Sequence, residues 1–147
     1  MEEKCIPFDV INVVARTVAT RFKGRGITHV IGVARGGLVP ATIISYMLDK
    51  PLVTYGISSY KGTKKTENFH TSQPLNTAAL KENNAHVLVV DDICDTGDTM
   101  KYITTNLALG SISYKTACIF TKEKHKEWLD YYGFIAPDDK WIVFPWE

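Results

Sequence analysis

The sequence predicts an α/β protein with a central, mainly parallel, twisted sheet that is flanked by helices. Residues 87–90, Val-Leu-Val-Val, form an apolar run without polar alternation, which is typical of a parallel strand covered on both faces. The unit of apolar strand, short polar loop and helix occurs twice, and right-handed crossovers keep such strands parallel. The length of 147 residues fits one domain, residues 1–147.

The first half of the chain alternates helices and strands. Ile11, Val14, Val18 and Phe22 recur at three- and four-residue spacings, which predicts an amphipathic helix over 8–22. An apolar strand follows at 28–34, then a helix over 38–48 that tolerates Pro40 in its first turn. A third strand is predicted at 51–58 by weak alternation.

Beyond the third strand, residues 59–76 contain few large apolar side chains, which predicts a flexible lid loop. A short helix is predicted at 77–83. The central strand at 87–90 leads through a tight turn to a helix at 100–109, and a strand follows at 114–121.

Composition excludes several classes of protein. A net charge of +1 and a charged fraction of 22% argue against a nucleic-acid-binding domain. The three cysteines form no Cys-x-x-Cys pair and indicate neither a disulfide framework nor a zinc site. No apolar run approaches membrane-spanning length, and the first residues do not resemble a secretory leader. We therefore expect a soluble, cytoplasmic protein without nucleic-acid or membrane partners.

Two acidic residues, Asp91 and Asp92, follow the central apolar run directly. They are expected at the carboxyl end of a strand, where open α/β sheets bind ligands. The turn after them, residues 95–99, leads into a helix start, which favours a phosphate dianion. The pair would suit ribose hydroxyls, directly or through Mg²⁺. A Walker B acid or plain solvated charges are the alternatives, although the chain has no Gly-x-x-x-x-Gly-Lys-[Ser/Thr] loop.

Residues 87–99, an apolar run, two acids and Asp-Thr-Gly-Asp-Thr, resemble the ribose-phosphate signature of the type I phosphoribosyltransferases. The resemblance implies that Asp91 and Asp92 contact the ribose hydroxyls of phosphoribosyl pyrophosphate. The residues implied to wrap its 5-phosphate are Asp95, Thr96, Gly97, Asp98 and Thr99. Asp95 also matches the family's aspartate near purine N7, a general acid or base. Its other interpretation is an Asp that stabilises a turn.

Arg35-Gly36-Gly37 follows the strand at 28–34 and is expected at the same sheet edge as the acid pair. A glycine pair lets backbone approach a ligand, and arginine offers a donor fork to phosphate oxygens. The stretch Ala-Arg-Gly-Gly-Leu-Val-Pro resembles the pyrophosphate loop of bacterial xanthine-guanine enzymes. Ser59-Tyr60 resembles the pair on the mobile loop that closes over pyrophosphate in the 6-oxopurine branch.

The last third of the chain resembles the base-binding end of the same branch. By that resemblance Lys122 hydrogen-bonds the 6-oxo group, Trp141 stacks on the purine, and Ile142 offers backbone contacts. Glu147 is implied to reach the metal through water. The segment 123–147 is expected to form a small hood. The many other aromatic rings of this segment are expected in the core or at a subunit contact.

Together these resemblances imply a purine phosphoribosyltransferase of purine salvage. It would transfer ribose 5-phosphate from phosphoribosyl pyrophosphate to N9 of xanthine, guanine or hypoxanthine, with Mg²⁺ and as a homodimer or homotetramer. Two alternatives stay open. One is the same fold acting on a different acceptor base, and the other is a regulator that binds phosphoribosyl pyrophosphate without catalysis.

Overall fold

The computed structural model describes residues 1–61, 64–71 and 75–147, with the backbone alone described from 58 to 61 and from 64 to 71. None of the helices in these ranges is long and apolar enough to span a membrane. The elements in chain order are β1 (Glu2–Cys5), α1 (Phe8–Phe22), β2 (His29–Ala34), α2 (Leu38–Leu48), β3 (Leu52–Lys61), β4 (Lys64–Thr71), α3 (Thr77–Glu82), β5 (His86–Cys94), α4 (Asp98–Leu109), β6 (Ser113–Thr121), a 3₁₀ helix (Glu123–Trp128), β7 (Tyr131–Ile135) and β8 (Lys140–Val143).

The main sheet has the strand order β4-β3-β2-β5-β6-β7. Neighbours from β3 to β7 are parallel, and β4 pairs antiparallel with β3. After β2 the chain crosses to β3 on one side, whereas after β5 it crosses to β6 on the other side. The carboxyl ends of β2 and β5 therefore flank a topological switch point, where sheets of this kind bind ligands. The predicted α/β class with a mainly parallel sheet is confirmed.

Strand β5 explains how the sheet is covered on both faces. Leu88 and Val90 pack in the cluster that includes residues of α1 and α2, while Val87 and Val89 pack in the cluster that includes residues of α4. All four side chains are buried. Because each burial stabilises the fold by roughly 1.5–3 kcal/mol, the apolar run fixes this strand at the centre of the sheet.

Strand β5 extends beyond its apolar run, to Cys94. Asp91 and Asp92 were predicted to follow the strand but lie within its last four residues. Parallel pairing with β6 continues there, with Asp91 opposite Cys118 and Ile93 opposite Phe120. The apolar pattern predicted only residues 87–90 of this strand. Backbone pairing continues beyond them, because it tolerates polar side chains at the carboxyl end of a strand.

The prediction of a long loop over 59–76 was wrong in its secondary structure. Strand β3 continues to Lys61, and β4 pairs with it antiparallel, with Ile57 opposite Thr71. Residues 62, 63 and 72–74 lie outside the described part of the chain. An antiparallel edge hairpin gains its backbone hydrogen bonds without needing an apolar face, so its composition resembles that of a loop.

The C-terminal segment 123–147, expected to form a hood, divides between two sheets. Strand β7 extends the main sheet, whereas β8 pairs in parallel with β1 in a separate two-stranded sheet. Glu3 lies opposite Trp141, and an ion pair joins Lys140 to Glu2. Strand β1 was not predicted from the sequence, because its four residues are all exposed and show no alternation of apolar and polar side chains.

Candidate active site at the carboxyl ends of β2 and β5

The acid pair is held by its own backbone. Asp91 Oδ1 accepts the Asp92 N–H at 2.8 Å, and Asp92 Oδ1 accepts the Ile93 N–H at 2.7 Å. Burial raises the pKa of Asp91 well above its usual range, and the neighbouring Asp92 charge adds to this shift. Burial also raises the pKa of Asp92. Two crowded carboxylates with raised pKa values favour a partner that neutralises them, such as a cation or a set of hydroxyl donors.

The Arg35-Gly36-Gly37 loop touches this acid pair, although 54 to 57 residues separate them in the sequence. A Cβ at residue 36 would lie 1.9 Å from Asp92 Oδ2. A Cβ at residue 37 would lie 2.6 Å from the Val90 carbonyl oxygen. Both positions thus require glycine for space. Arg35 is exposed beside them, and the Ala34–Arg35 peptide bond is cis.

The turn after β5 forms the second loop of the site. Gly97 has φ +83° and directly precedes α4, while the Thr96 hydroxyl accepts the Asp98 N–H at 3.3 Å. The first N–H groups of a helix have no partner within the helix, and its dipole favours negative charge there. A cavity of about 210 Å³ opens at this turn, lined by Asp91, Asp92, Ile93, Cys94, Asp95, Thr96, Gly97, Thr99 and Trp141.

A second cavity of about 540 Å³ adjoins the first, since Asp95, Thr96 and Trp141 line both. Lys122 borders it with a buried side chain whose Nζ donates to the Pro137 carbonyl at 2.8 Å. The Trp141 side chain is 51% exposed, and Ile142 is buried. The second cavity thus combines an exposed ring with a buried cationic donor.

Glu147 lies within electrostatic range of the acid pair. Burial and local hydrogen bonds have the larger effects on the pKa of Asp92. The charge of Glu147 raises the pKa of that carboxyl further. Glu147 Oε2 also accepts the Phe144 N–H at 3.4 Å, and Glu147 borders the larger cavity. The structure therefore brings together Arg35, Gly36, Gly37, Asp91, Asp92, residues 95–99, Lys122, Trp141, Ile142 and Glu147. The side chains of Ser59 and Tyr60 lie outside the described residues.

The chemistry of the site fits a magnesium ion that is shared with a substrate. Across the described ranges, no three His, Cys, Asp or Glu side chains cluster as a metal site. Asp91 and Asp92 supply two carboxylates that line the smaller cavity, at the turn after β5. Mg²⁺ is commonly bound by one or two carboxylates together with substrate phosphates, so this donor set suits it.

Sequence reasoning missed Trp128 and His125 as residues near the site. The Trp128 ring packs against Gly97 in the turn after β5, and its centroid lies 4.9 Å from that of His125. His125 borders the larger cavity. No motif marks either residue, because their proximity to the turn depends on how the 3₁₀ helix packs against the sheet.

Comparison with known proteins agrees with this geometry. The model of the phosphoribosyl transferase domain matches residues 8–147. The chain belongs to the phosphoribosyltransferase family. It is 34% identical to the xanthine-guanine phosphoribosyltransferase of Idiomarina loihiensis, over 88% of this chain and 73% of that protein. It is 30% identical to the Cereibacter sphaeroides protein of the same name, over 97% and 85% of the two chains.

Among solved structures, the purine phosphoribosyltransferase of Pyrococcus horikoshii superposes with a TM-score of 0.79. The two are 29% identical, and the match covers all of this chain and 95% of the other. The family resemblance of residues 87–99 is therefore confirmed, and so is the phosphoribosyltransferase fold.

Burial separates the three cysteines of this phosphoribosyltransferase by reactivity. Burial raises the pKa of Cys94 to about 11 and that of Cys118 well above its ordinary value, whereas Cys5 is exposed. Only the thiolate reacts with alkylating agents, so at pH 8 we expect iodoacetamide to modify Cys5 and to spare the other two until the protein unfolds. Peptide mass spectrometry measures this. Rapid labelling of Cys94 in the folded protein would contradict the burial of β5.

Proposed function

We propose that this protein transfers ribose 5-phosphate from phosphoribosyl pyrophosphate to N9 of a 6-oxopurine: xanthine, guanine or hypoxanthine. The products would be the nucleoside 5′-monophosphate and pyrophosphate, as in purine salvage. The observation that carries the proposal is the pair of adjoining cavities. One is lined by the acid pair and the turn before α4, and the other by Lys122 and Trp141. The relatives named xanthine-guanine phosphoribosyltransferase support the same choice of base.

The ribose 5-phosphate part of phosphoribosyl pyrophosphate would occupy the smaller cavity. The ribose hydroxyls face Asp91 and Asp92, and the N–H groups of residues 96–99 receive the 5-phosphate. The pyrophosphate lies against Arg35 and the Gly36-Gly37 backbone, which touches Asp92. Mg²⁺, held by Asp91 and Asp92 and reached by Glu147 through water, would neutralise charge on the leaving pyrophosphate.

The base would occupy the larger cavity. Trp141 stacks on the purine, and backbone atoms at Ile142 meet its 2-position. Lys122 Nζ carries three donors, so it can keep its bond to the Pro137 carbonyl while donating to the 6-oxo oxygen. Adenine has an amino donor at that position, so a buried lysine disfavours it.

Asp95 would act as the general base that accepts a proton from the purine, since it lines both cavities. Purine N9 forms a bond to ribose C1 as the bond from C1 to the pyrophosphate oxygen breaks. The proton on purine N7 passes to the Asp95 carboxylate, which leaves the product base neutral. General base catalysis of this kind contributes about 10²–10⁴-fold to a rate.

Three further parts of the proposal concern a lid over the site, the oligomeric state and the cellular location. The β3–β4 hairpin, with Ser59 and Tyr60 on β3, would close over the pyrophosphate and exclude water. A homodimer or homotetramer would cover the exposed apolar side chains of α1 and α2, among which Tyr46 is 82% exposed. We place the enzyme in the cytoplasm, where free cysteines such as its Cys5, Cys94 and Cys118 stay reduced.

The test is pyrophosphate release from phosphoribosyl pyrophosphate and Mg²⁺, with xanthine, guanine, hypoxanthine, adenine and orotate offered separately. We expect turnover with the 6-oxopurines alone. In Asp95→Asn, which keeps the side-chain shape, kcat should fall about 10²–10⁴-fold while phosphoribosyl pyrophosphate still binds. Turnover with adenine or orotate would indicate a different acceptor. Binding without turnover on any base would instead favour a regulator.

A further inference from the structure

Trp128, the last residue of the 3₁₀ helix, covers the turn that precedes α4. A Cβ at residue 97 would lie 2.1 Å from Trp128 Cζ3, 2.8 Å from Cε3 and 3.0 Å from Cη2. The indole therefore fills the space beside Gly97 and packs directly on its Cα. Part of the residue stays accessible to solvent, since Trp128 is 45% exposed.

The backbone on either side of the indole is fixed to β6. The buried Thr116 hydroxyl donates to the Trp128 carbonyl at 3.0 Å, and Thr116 N donates to Asp130 Oδ2 at 2.9 Å. The Asp130 N–H in turn donates to the Thr116 hydroxyl oxygen at 3.1 Å. His125 packs on the ring with an interplanar angle of 40°. These contacts hold the indole in one place relative to the sheet.

The turn that the indole covers contains a glycine with a left-handed backbone conformation. Gly97 has φ +83°, and a glycine in this conformation can also adopt many others. The Thr96 hydroxyl reaches the Asp98 N–H at 3.3 Å, a long hydrogen bond. A ring packed on Gly97 limits these alternatives by excluded volume.

We propose that Trp128 is a positioning residue that holds the turn 95–99 in the conformation that binds the 5-phosphate of the substrate. The proposal rests on the proposed function, because it concerns the phosphate of phosphoribosyl pyrophosphate. Without the indole the turn would sample other conformations, and binding would have to order it at an entropic cost. If the indole only buried apolar surface, it would stabilise the fold, and its replacement would leave ligand affinities unchanged.

Ribose 5-phosphate and pyrophosphate together distinguish a positioning role of Trp128 from a purely structural one. Ribose 5-phosphate would bind through the turn and the acid pair, whereas pyrophosphate would bind through the Arg35-Gly36-Gly37 loop, where Gly36 packs against Asp92. We therefore measure the affinities of ribose 5-phosphate, pyrophosphate with Mg²⁺, and phosphoribosyl pyrophosphate with Mg²⁺ by calorimetry on the full chain. The variants are Trp128→Leu and Trp128→Phe. Phe134→Leu is the matched control, since Phe134 is a 46% exposed ring that lines neither cavity.

In Trp128→Leu we expect about tenfold weaker binding of ribose 5-phosphate and phosphoribosyl pyrophosphate, with the affinity for pyrophosphate unchanged. Phe134→Leu should match wild type with all three ligands. Should Trp128→Leu fail to fold, Trp128→Phe decides the question, because its smaller ring should weaken ribose 5-phosphate binding about threefold. Unchanged ribose 5-phosphate affinity in a folded Trp128 variant would overturn the inference. An equal loss of affinity for pyrophosphate would also overturn the inference, since it would indicate that the substitution disrupts the whole site.

The failure of the proposed function has a different result. Wild-type protein would then release no pyrophosphate with any base, and if it also bound neither ribose 5-phosphate nor phosphoribosyl pyrophosphate, both proposals would fall together. If wild type turns over 6-oxopurines and the variants bind both ligands as tightly as wild type, the proposed function stands and the role of Trp128 alone is refuted.

Discussion

Asp91→Asn is expected to make the unliganded protein more stable and the enzyme much less active. Burial and the Asp92 charge raise the pKa of Asp91, so its ionised form destabilises the fold at neutral pH. Asparagine is neutral, its Oδ1 can still accept the Asp92 N–H, and its Nδ2 can donate to the Asp92 carboxylate. Each kcal/mol gained should raise Tm by about 2–4 °C in a chain of this size. Calorimetric melting without Mg²⁺ measures the gain.

The same cause gives the pH dependence of wild-type stability a definite sign. The folded-state pKa of Asp91 lies above its ordinary value of 3.8, so the folded state binds the proton more tightly than the unfolded state does. This contribution to the free energy of unfolding is complete below about pH 3.8 and is lost as the pH rises through the folded-state pKa. The stability gained by Asp91→Asn should therefore grow from acid to neutral pH.

Activity should move the other way. The Asp91→Asn variant would lose the charge-assisted contact to a ribose hydroxyl or Mg²⁺, and we expect kcat/KM to fall at least about tenfold. Asp139→Asn is the control, because Asp139 is an exposed acid in a turn that lines neither cavity. It should leave both Tm and kcat/KM close to wild type. A lower Tm in Asp91→Asn would show that the carboxylate stabilises the fold, contrary to its surroundings.

Gly36→Ala should abolish most activity while the fold persists. The new Cβ would lie 1.9 Å from Asp92 Oδ2 and 2.5 Å from Asp92 Cγ, so the carboxylate or the loop must move. Asp92 cannot swing away freely, because its Oδ1 accepts the Ile93 N–H at 2.7 Å. A displacement of about 1 Å at a catalytic centre can cost about 10²-fold, and we expect a loss of at least that size in kcat/KM.

Gly24→Ala tests whether this loss comes from the clash rather than from losing any glycine. Gly24 lies in the turn after α1 with φ +75° and no atom within 4 Å of a Cβ. Its substitution should cost about 1–2 kcal/mol of stability from the left-handed backbone and leave kcat/KM unchanged. Near-normal activity in Gly36→Ala would mean that the loop and the acid pair separate in solution.

Sequence patterns were most accurate for the helices that bury one face against the core. The bounds of α1 and α2 agree with the predicted 8–22 and 38–48, because an amphipathic or apolar stretch has one way to satisfy the core. They were least accurate at the outer edge of the main sheet and in the small separate sheet, namely the β3–β4 hairpin and the pairing of β1 with β8. Backbone hydrogen bonds decide those pairings, and such bonds leave little trace in side-chain identity.

The same division holds for the site. The sequence by itself determined the fold class, the phosphoribosyltransferase family and the residues of both βα loops, because a thirteen-residue motif and an apolar strand are local properties of the chain. Only the tertiary structure decided that Gly36 touches Asp92 and that Trp128 covers Gly97. Those contacts join residues 31 to 56 positions apart, and they arise from strand order and helix packing, which no local pattern encodes.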